Sequence, residues 1–596
     1  MIYSIVLPGR FPTTFYAYPE FTLLNREIQD EVRFANLNLL FWEYIFSTDF
    51  LEFLRRHFGP AVAPQIEFLS NIIGTGIINK LRDQKSFYDP EQYLDAIFHL
   101  GEYLSRASGL LRQLSGGTLQ GLSIYGLSYE MQHSLKKVMA YAASDRNPIM
   151  DFYRTHADFV RGIFDAEIVS AVTYSYTDIL HLGVLSHLYR QPGTTVLIHG
   201  HSWENNAVDY LLEHSNQYVD FLRHIDGVVV REDVLVETFN QLAETGKTAQ
   251  LKNLHLFSGK ATYTGVTDDY QRNDLNDLDF ERLHQEADRQ QPLLFAPELV
   301  TLHRLSSRGC YWSRCAFCRH NSRHPDRSND VCDESGNISK WTASLRQLSE
   351  ISRVIVFCDQ GIDPEAAASL AAMAADASIV VRWSLRTRID PRWDASRIAT
   401  VAQGGCTEMI FGLESIQDAT LQRMNKTSLK GEAYRSLATQ IHRDSVSCGI
   451  YNHYCMIYGY PGETFEECQQ TLDFLASLIH DAPKTTFSLN RFRLLFKSDI
   501  YNFPESYGIG TMIKPASLSN MFRYDEPNSW RSIELVEKGL MDFYQAIGYR
   551  EDILTNQILM KTIPVFINDS GHTPLLKIGH SRNPFISYYD DVTYHA

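Results

Sequence analysis

The stretch Arg308-Gly309-Cys310-Tyr311-Trp312-Ser313-Arg314-Cys315-Ala316-Phe317-Cys318 sets three thiols close together in one Gly-led loop. Thiolates at such spacing can hold an iron–sulfur cluster. Three ligands on a four-iron cluster leave one iron open to a substrate or cofactor. With His320, the same cysteines could instead form a structural zinc site of the three-Cys, one-His kind. Phe317, between the last two cysteines, would be an apolar lid for a cluster or a stacking surface for an adenine.

The rest of the chain limits the setting of that loop. All nine cysteines fall between Cys310 and Cys468. A disulfide-stapled secreted protein would be shorter and would spread them, so a reduced, cytoplasmic compartment is expected. A length of 596 residues, 44% hydrophobic and 21% charged, suits several folded domains. The net charge of −16 argues against a protein that grips nucleic-acid phosphates unaided. Met1 to Pro8 is a short apolar run without a basic flank, unlike a signal peptide. No apolar run reaches the roughly 18 residues of a membrane span.

Elements able to position the loop follow from periodicity. Ile2–Leu7 reads as a strand, and about 24–164 as a helical block with apolar residues three and four apart. Strands are then expected at Ile168–Tyr174, Thr195–Ile198 and Gly227–Val230, alternating with helices at Ile179–Tyr189, Asp209–His214 and Val234–Glu244. Such alternation implies an open parallel sheet with a crevice at its strand ends. Residues 268–297 are polar, then Pro-punctuated, and read as a linker. Beyond the Cys loop, strands at Val354–Phe357, Ile379–Trp383, Met409–Gly412, Asn452–Tyr458 and Thr486–Leu489 alternate with helices, as in a full or partial β/α barrel. Gly459-Tyr460-Pro461-Gly462 reads as a strand-to-helix turn, with Thr464 as N-cap and Glu467 three residues on.

Several further stretches accompany the loop: Phe357-Cys358-Asp359, Trp383-Ser384-Leu385-Arg386, Gly405-Cys406 leading to Phe411-Gly412-Leu413-Glu414-Ser415, Tyr458–Thr464, and Ser498–Gly508. In this order the chain resembles the radical S-adenosylmethionine (SAM) enzymes, specifically the branch with an N-terminal cobalamin-binding-type domain. The likeness covers roughly 300–510. It implies an α/β protein: a Rossmann-like cobalamin-binding-type domain over 1–270 with a helical insertion at about 25–165, a linker over 271–297, a partial β/α barrel over 298–510, and a small C-terminal domain over 511–596. It further implies a [4Fe-4S] cluster on Cys310, Cys315 and Cys318, with SAM near Phe317, Ser384, Arg386, Glu414 and Tyr458. Cobalamin would be a third cofactor, flavodoxin or ferredoxin would donate electrons, and the substrate would be a peptide or small natural product. One departure is visible: four residues lie between the first two cysteines, where three are commonest in that family. A local bulge would absorb the extra residue.

The implied reaction is hydrogen abstraction from an unactivated carbon, most simply cobalamin-dependent methylation. The alternative is a cobalamin-free step such as peptide epimerisation, with Cys358 as hydrogen donor; a non-catalytic protein with a zinc loop is a third reading. The series Asp178-Ile179-Leu180-His181-Leu182-Gly183 has the letters of a cobalt-ligating motif in the wrong spacing, so His181 is not expected to bind cobalt. Cys332, Cys406, Cys448, Cys455 and Cys468 form no second cluster motif and read as small core residues.

Overall fold

A computed structural model describes residues 1–8, 15–16, 32–115 except 88, 140–172 except 142, 176–199, 222–230, 235–245, 251–257, 279–295, 299–302, 310–318, 334–357 except 353, 361–481, 485–513 and 521–525, with a few positions up to 538. The chain is α/β, built on two mostly parallel sheets.

The first sheet holds β1 (Ile2–Val6), β3 (Val32–Asn36), β4 (Ile168–Val172), β5 (Thr195–His199), β6 (Gly227–Val229) and β7 (Leu254–Leu256). Its order is β3-β1-β4-β5-β6-β7, parallel except for the β6–β7 pair. Every residue of β4 is buried, as expected of a parallel strand covered on both faces. The chain leaves β1 to one side for β3 and returns on the other side for β4. That reversal puts a crevice at the C-terminal ends of β1 and β4. The helices Leu37–Ile45, Thr48–Phe58, Ala63–Gly74, Pro90–Ser115 and Pro148–Thr155 pack beside the sheet around Phe41, Phe50, Phe53, Tyr103 and Phe152.

The second sheet runs β13-β12-β11-β10-β9-β8-β2. Its members are β2 (Phe15–Tyr16), β8 (Leu299–Leu302), β9 (Val354–Phe357), β10 (Arg382–Arg388), β11 (Cys406–Glu414), β12 (Tyr451–Tyr458) and β13 (Thr485–Arg491). All neighbours pair in parallel, with helices between consecutive strands from β8 onward, which is a partial β/α barrel. A small antiparallel sheet of β14 (Leu494–Leu495), β15 (Met512–Ile513) and β16 (Met521–Tyr524) follows. The two larger units share a core: Val6 and Val172, at the ends of β1 and β4, pack in one cluster with Phe357 and Ile362 of the barrel.

Several strands have no counterpart in the sequence reading, among them β7 and the short β14, β15 and β16. β3 lies inside the stretch expected to be helical, and β2 and β8 are too short or too near the Cys loop to show a period. The range read as a linker contains the helix Phe280–Gln290, whose Leu283 and Ala287 are buried; its polar face hid its apolar one. The helix expected at Asp209–His214 lies outside the described residues. No described helix is long and apolar enough to cross a membrane.

Candidate functional site

Strand alternation decides which side chains enter the barrel. Trp383 and Leu385 of β10, Met409, Phe411 and Leu413 of β11, Tyr454, Met456 and Tyr458 of β12, and Phe487 and Leu489 of β13 all lie in the helix-side core. The intervening residues therefore face inward. Ser384 sits opposite Glu408, Gly412 opposite Cys455, and Cys455 opposite Ser488.

The cysteine loop lies over the C-terminal strand ends, where barrel sites are built. Cys310 bridges in parallel to Gly361, which follows β9, and Tyr311 N–H donates to the Gly361 carbonyl at 3.3 Å. An added Cβ at Gly361 would stand 2.9 Å from Cys310 Sγ, so the thiol rests against bare backbone. Tyr311 Oη donates to Asp390 at 2.8 Å, and the Arg388 guanidinium stacks 3.7 Å above the Trp312 ring. Ser313 adopts φ +45° and closes its hydroxyl onto the Cys310 carbonyl, so the longer gap between Cys310 and Cys315 is taken up by one left-handed residue. Three carbonyls of the turn after the helix Asp418–Arg423 receive the loop and its clamp. Met424 O accepts from Ala316 N–H at 2.8 Å, Asn425 O accepts from Trp312 Nε1 at 2.9 Å, and Lys426 O accepts from the Arg388 guanidinium. Phe317 meets Tyr460 edge-on at 6.5 Å and packs with the core of the small C-terminal sheet.

Cys315 is buried, which pushes its thiol up to about 11, against the nearby positive charges of Lys426 and Arg388. Among the described residues, no three Cys, His, Asp or Glu side chains converge on a single metal ion. His320, the fourth ligand of the zinc reading, lies outside the described residues.

Beside the loop, Glu414 ends β11 with φ +62°, next to an irregularity in the β11–β12 register. Lys426 Nζ donates to its Oε1 at 3.1 Å, and both side chains are buried. Burial pulls the Lys426 ammonium down, but Glu414 outweighs it and keeps the charge.

The expected cofactor residues separate. Phe317 and Glu414 stand with the three cysteines at the rim. Arg386 lies two residues before Arg388, about 7 Å deeper at the usual strand rise, where its charge acts on Glu408 and His453. Ser384 is deeper still, buried, and its hydroxyl has no hydrogen-bond partner. Tyr458 is on the helix side, because alternation turns it away from the barrel interior. Cys358 lies outside the described residues; among those described, Cys455 stands on the inner face, partly exposed. Arg388 could have been found from the period-two run Arg382, Ser384, Arg386, Arg388. Lys426 carries no such signal, because only the fold brings it to Glu414.

Glu408 is 2% exposed, and its Oε1 accepts no hydrogen bond. Burial raises its pKa to about 8, with Arg386 opposing. The unfolded carboxyl ionises near 4.5, so the protonated form stabilises the fold fully below that value. That stability is lost as pH rises through about 8. Glu408→Gln keeps the neutral shape, so the variant should lose less stability than wild type between pH 5 and pH 8.5, by a few kcal/mol at most. Equal slopes of urea midpoint against pH would show Glu408 ionised in the folded protein.

No protein-family model matches the chain, and no curated protein matches it. Among solved structures, the cobalamin-dependent S-adenosylmethionine radical enzyme OxsB, with aqua-cobalamin and S-adenosylmethionine bound, is 12% identical over 74% of this chain and 69% of that chain, at a TM-score of 0.47. The radical S-adenosylmethionine methyltransferase TsrM from Kitasatospora setae, with tryptophan substrate and a SAM analogue bound, is 14% identical over 67% and 81%, at 0.46. Coproporphyrinogen III oxidase (HemN) from Escherichia coli, a radical SAM enzyme, is 12% identical over 42% and 53%, at 0.28. At these identities none of the three assigns a cofactor or a reaction to this chain.

Proposed function

We propose that this chain is a radical SAM enzyme that holds a [4Fe-4S] cluster on Cys310, Cys315 and Cys318 and methylates an unactivated carbon with the help of cobalamin. The observation that carries the reading is the three-cysteine loop itself, seated on the C-terminal rim of a parallel strand run and tied to it by Gly361, Asp390, Arg388 and the 424–426 turn. When bound, the cluster and SAM supply a carbon radical able to abstract hydrogen, and cobalamin supplies a methyl group. The protein's own task is to orient and to exclude water. Phe317 and Glu414, both at the rim, are assigned to SAM. Arg386, Cys455, Thr486 and Asn490 line partly exposed positions of the inner face. Their depth suits a polar substrate, a peptide or small natural product, better than the cofactor. The β1–β4 crevice, whose strand ends pack against Phe357 and Ile362, supports a cobalamin site facing the barrel. His181 does not contribute to it, being fully buried in the helix Tyr176–Tyr189 with its pKa pulled down to about 3 by burial. Reduced flavodoxin or ferredoxin would deliver the electron.

The test is the reaction. Anaerobically reconstituted, dithionite-reduced protein should convert SAM to 5′-deoxyadenosine, and protein loaded with hydroxocobalamin should retain about one cobalt per chain. Iron-loaded protein that leaves SAM intact would end the proposal. A second reading, hydrogen return by a thiol without cobalamin, is favoured by Cys455 on the inner face. It would take over if SAM is cleaved by protein that binds no cobalt.

A further inference from the structure

The turn Met424–Lys426 does two things at once. Its backbone receives the cysteine loop through Ala316 N–H and the Trp312 indole, and its third carbonyl takes the guanidinium that stacks on Trp312. Its last side chain then reaches back to Glu414, so that one residue joins the loop's cradle to the end of β11. The surroundings leave little freedom. Asn425 is itself left-handed, at φ +50°, and Glu414 at φ +62° is a conformation that a non-glycine residue adopts only when its neighbours hold it there. At Gly412 an added Cβ would lie 2.5 Å from Lys426 Nζ and 2.8 Å from Glu414 Oε1, so the ion pair occupies the space that any other residue would need. The pair is largely buried, with side chains 7% and 9% exposed.

We propose that Lys426 is a positioning residue that sets the shape and charge of the cysteine loop before any metal arrives. It locks Glu414 in its left-handed turn, fixes the 424–426 carbonyls against Trp312 and Ala316, and keeps a buried positive charge in the same turn that receives the loop. Glu414 offsets much of this charge, so the effect is local and depends on the pair's orientation. This inference rests on the cluster reading above and adds a role that no cysteine spacing reveals.

The variants are chosen so that folding and charge separate. Lys426→Met alone strands a buried carboxylate and is expected to unfold or aggregate. The double variant Lys426→Met/Glu414→Met removes both charges and should fold, since replacing a buried pair by apolar side chains is tolerated. Its far-UV circular dichroism should match wild type, while iron retained against a chelator after anaerobic reconstitution should fall at least fivefold. Lys426→Arg should restore most of it. Glu414→Gln leaves the cation uncompensated, so whatever cluster forms should have a more positive midpoint potential than wild type. If the double variant misfolds, the Glu414→Gln potential and the Lys426→Arg iron content decide the matter. Wild-type iron retention in the double variant, or an unchanged potential in Glu414→Gln, overturns the inference while leaving the cluster intact. Wild-type protein that takes up no iron overturns the cluster reading, and this inference with it.

Discussion

Anaerobic reconstitution of the full chain should give a brown protein with about four irons, and Cys315→Ala should take iron to background. This is the largest effect expected of any single side chain. Cys315 is the buried member of the trio, and two of the loop's backbone anchors, Ala316 to Met424 and Ile500 to Ala316, lie immediately after it. Removing its sulfur takes one corner from the cluster without disturbing those bonds, so the variant should fold. Cys310→Ala and Cys318→Ala should behave alike, although both residues are more exposed. Serine is the informative control at each position, since it keeps the size and loses the soft ligand. Full iron retention in the three-alanine variant would remove the loop from the metal chemistry altogether. Retention of about one zinc, with neither iron nor sulfide, would restore the structural reading with His320.

The second large effect lies far from the rim. Gly405 sits at φ +94° just before β11, and an added Cβ would stand 2.0 Å from the Val381 carbonyl oxygen. The adjacent Gly404 lets the turn close on Ala371, where an added Cβ would meet backbone at 2.5 Å. The two carbonyls accept from Trp383, Gly405 O from its backbone N–H at 3.0 Å and Gly404 O from its indole at 2.7 Å. Backbone cannot swing aside as a flexible side chain can. Gly405→Ala should therefore separate β10 from β11 and cost about 3–5 kcal/mol, in the range reserved for strain and overpacking. Gly508→Ala is the matched control, with φ +73° and nothing within 4 Å of the added carbon. It should cost only about 1 kcal/mol, the conformational part alone. The two should differ clearly in urea midpoint. A Gly405→Ala variant no worse than Gly508→Ala would mean that the two strands are not so closely apposed.

The parts of the fold visible in the sequence are those specified locally. The helix after β12 is an instance: Thr464 N–H donates to Glu467 and Glu467 N–H to Thr464 Oγ1, the reciprocal cap that the spacing announces. Five barrel strands were found to within a few residues because β-branched and aromatic runs between Gly and Pro mark them. β10 was placed too early, since Ile379 and Val380 are apolar but precede the strand, and Val380 is 86% exposed. The site was half legible. Three cysteines in a row declare themselves, and Glu414 stood out within its Gly-rich stretch. Tyr458 was misplaced because a strand's parity cannot be read until its core face is known. A single residue's slip turns a side chain from cavity to core. Arg388, Lys426 and Glu408 owe their roles to partners on other strands or turns.

β2 pairs with β8 in the barrel sheet, although the strands on either side of it in the chain, β1 and β3, belong to the other sheet. The chain is thus stitched through both units within its first 36 residues. On the ribosome, the residues that finish the barrel's edge emerge long before the barrel, and they must wait for Leu299–Leu302 to be made. A fragment beginning at about residue 298 would be released with the edge of β8 bare, an invitation to pair with other chains. Cutting the protein at its apparent domain boundary should accordingly yield aggregates, whereas supplying residues 1–297 as a separate polypeptide during refolding should rescue the barrel half.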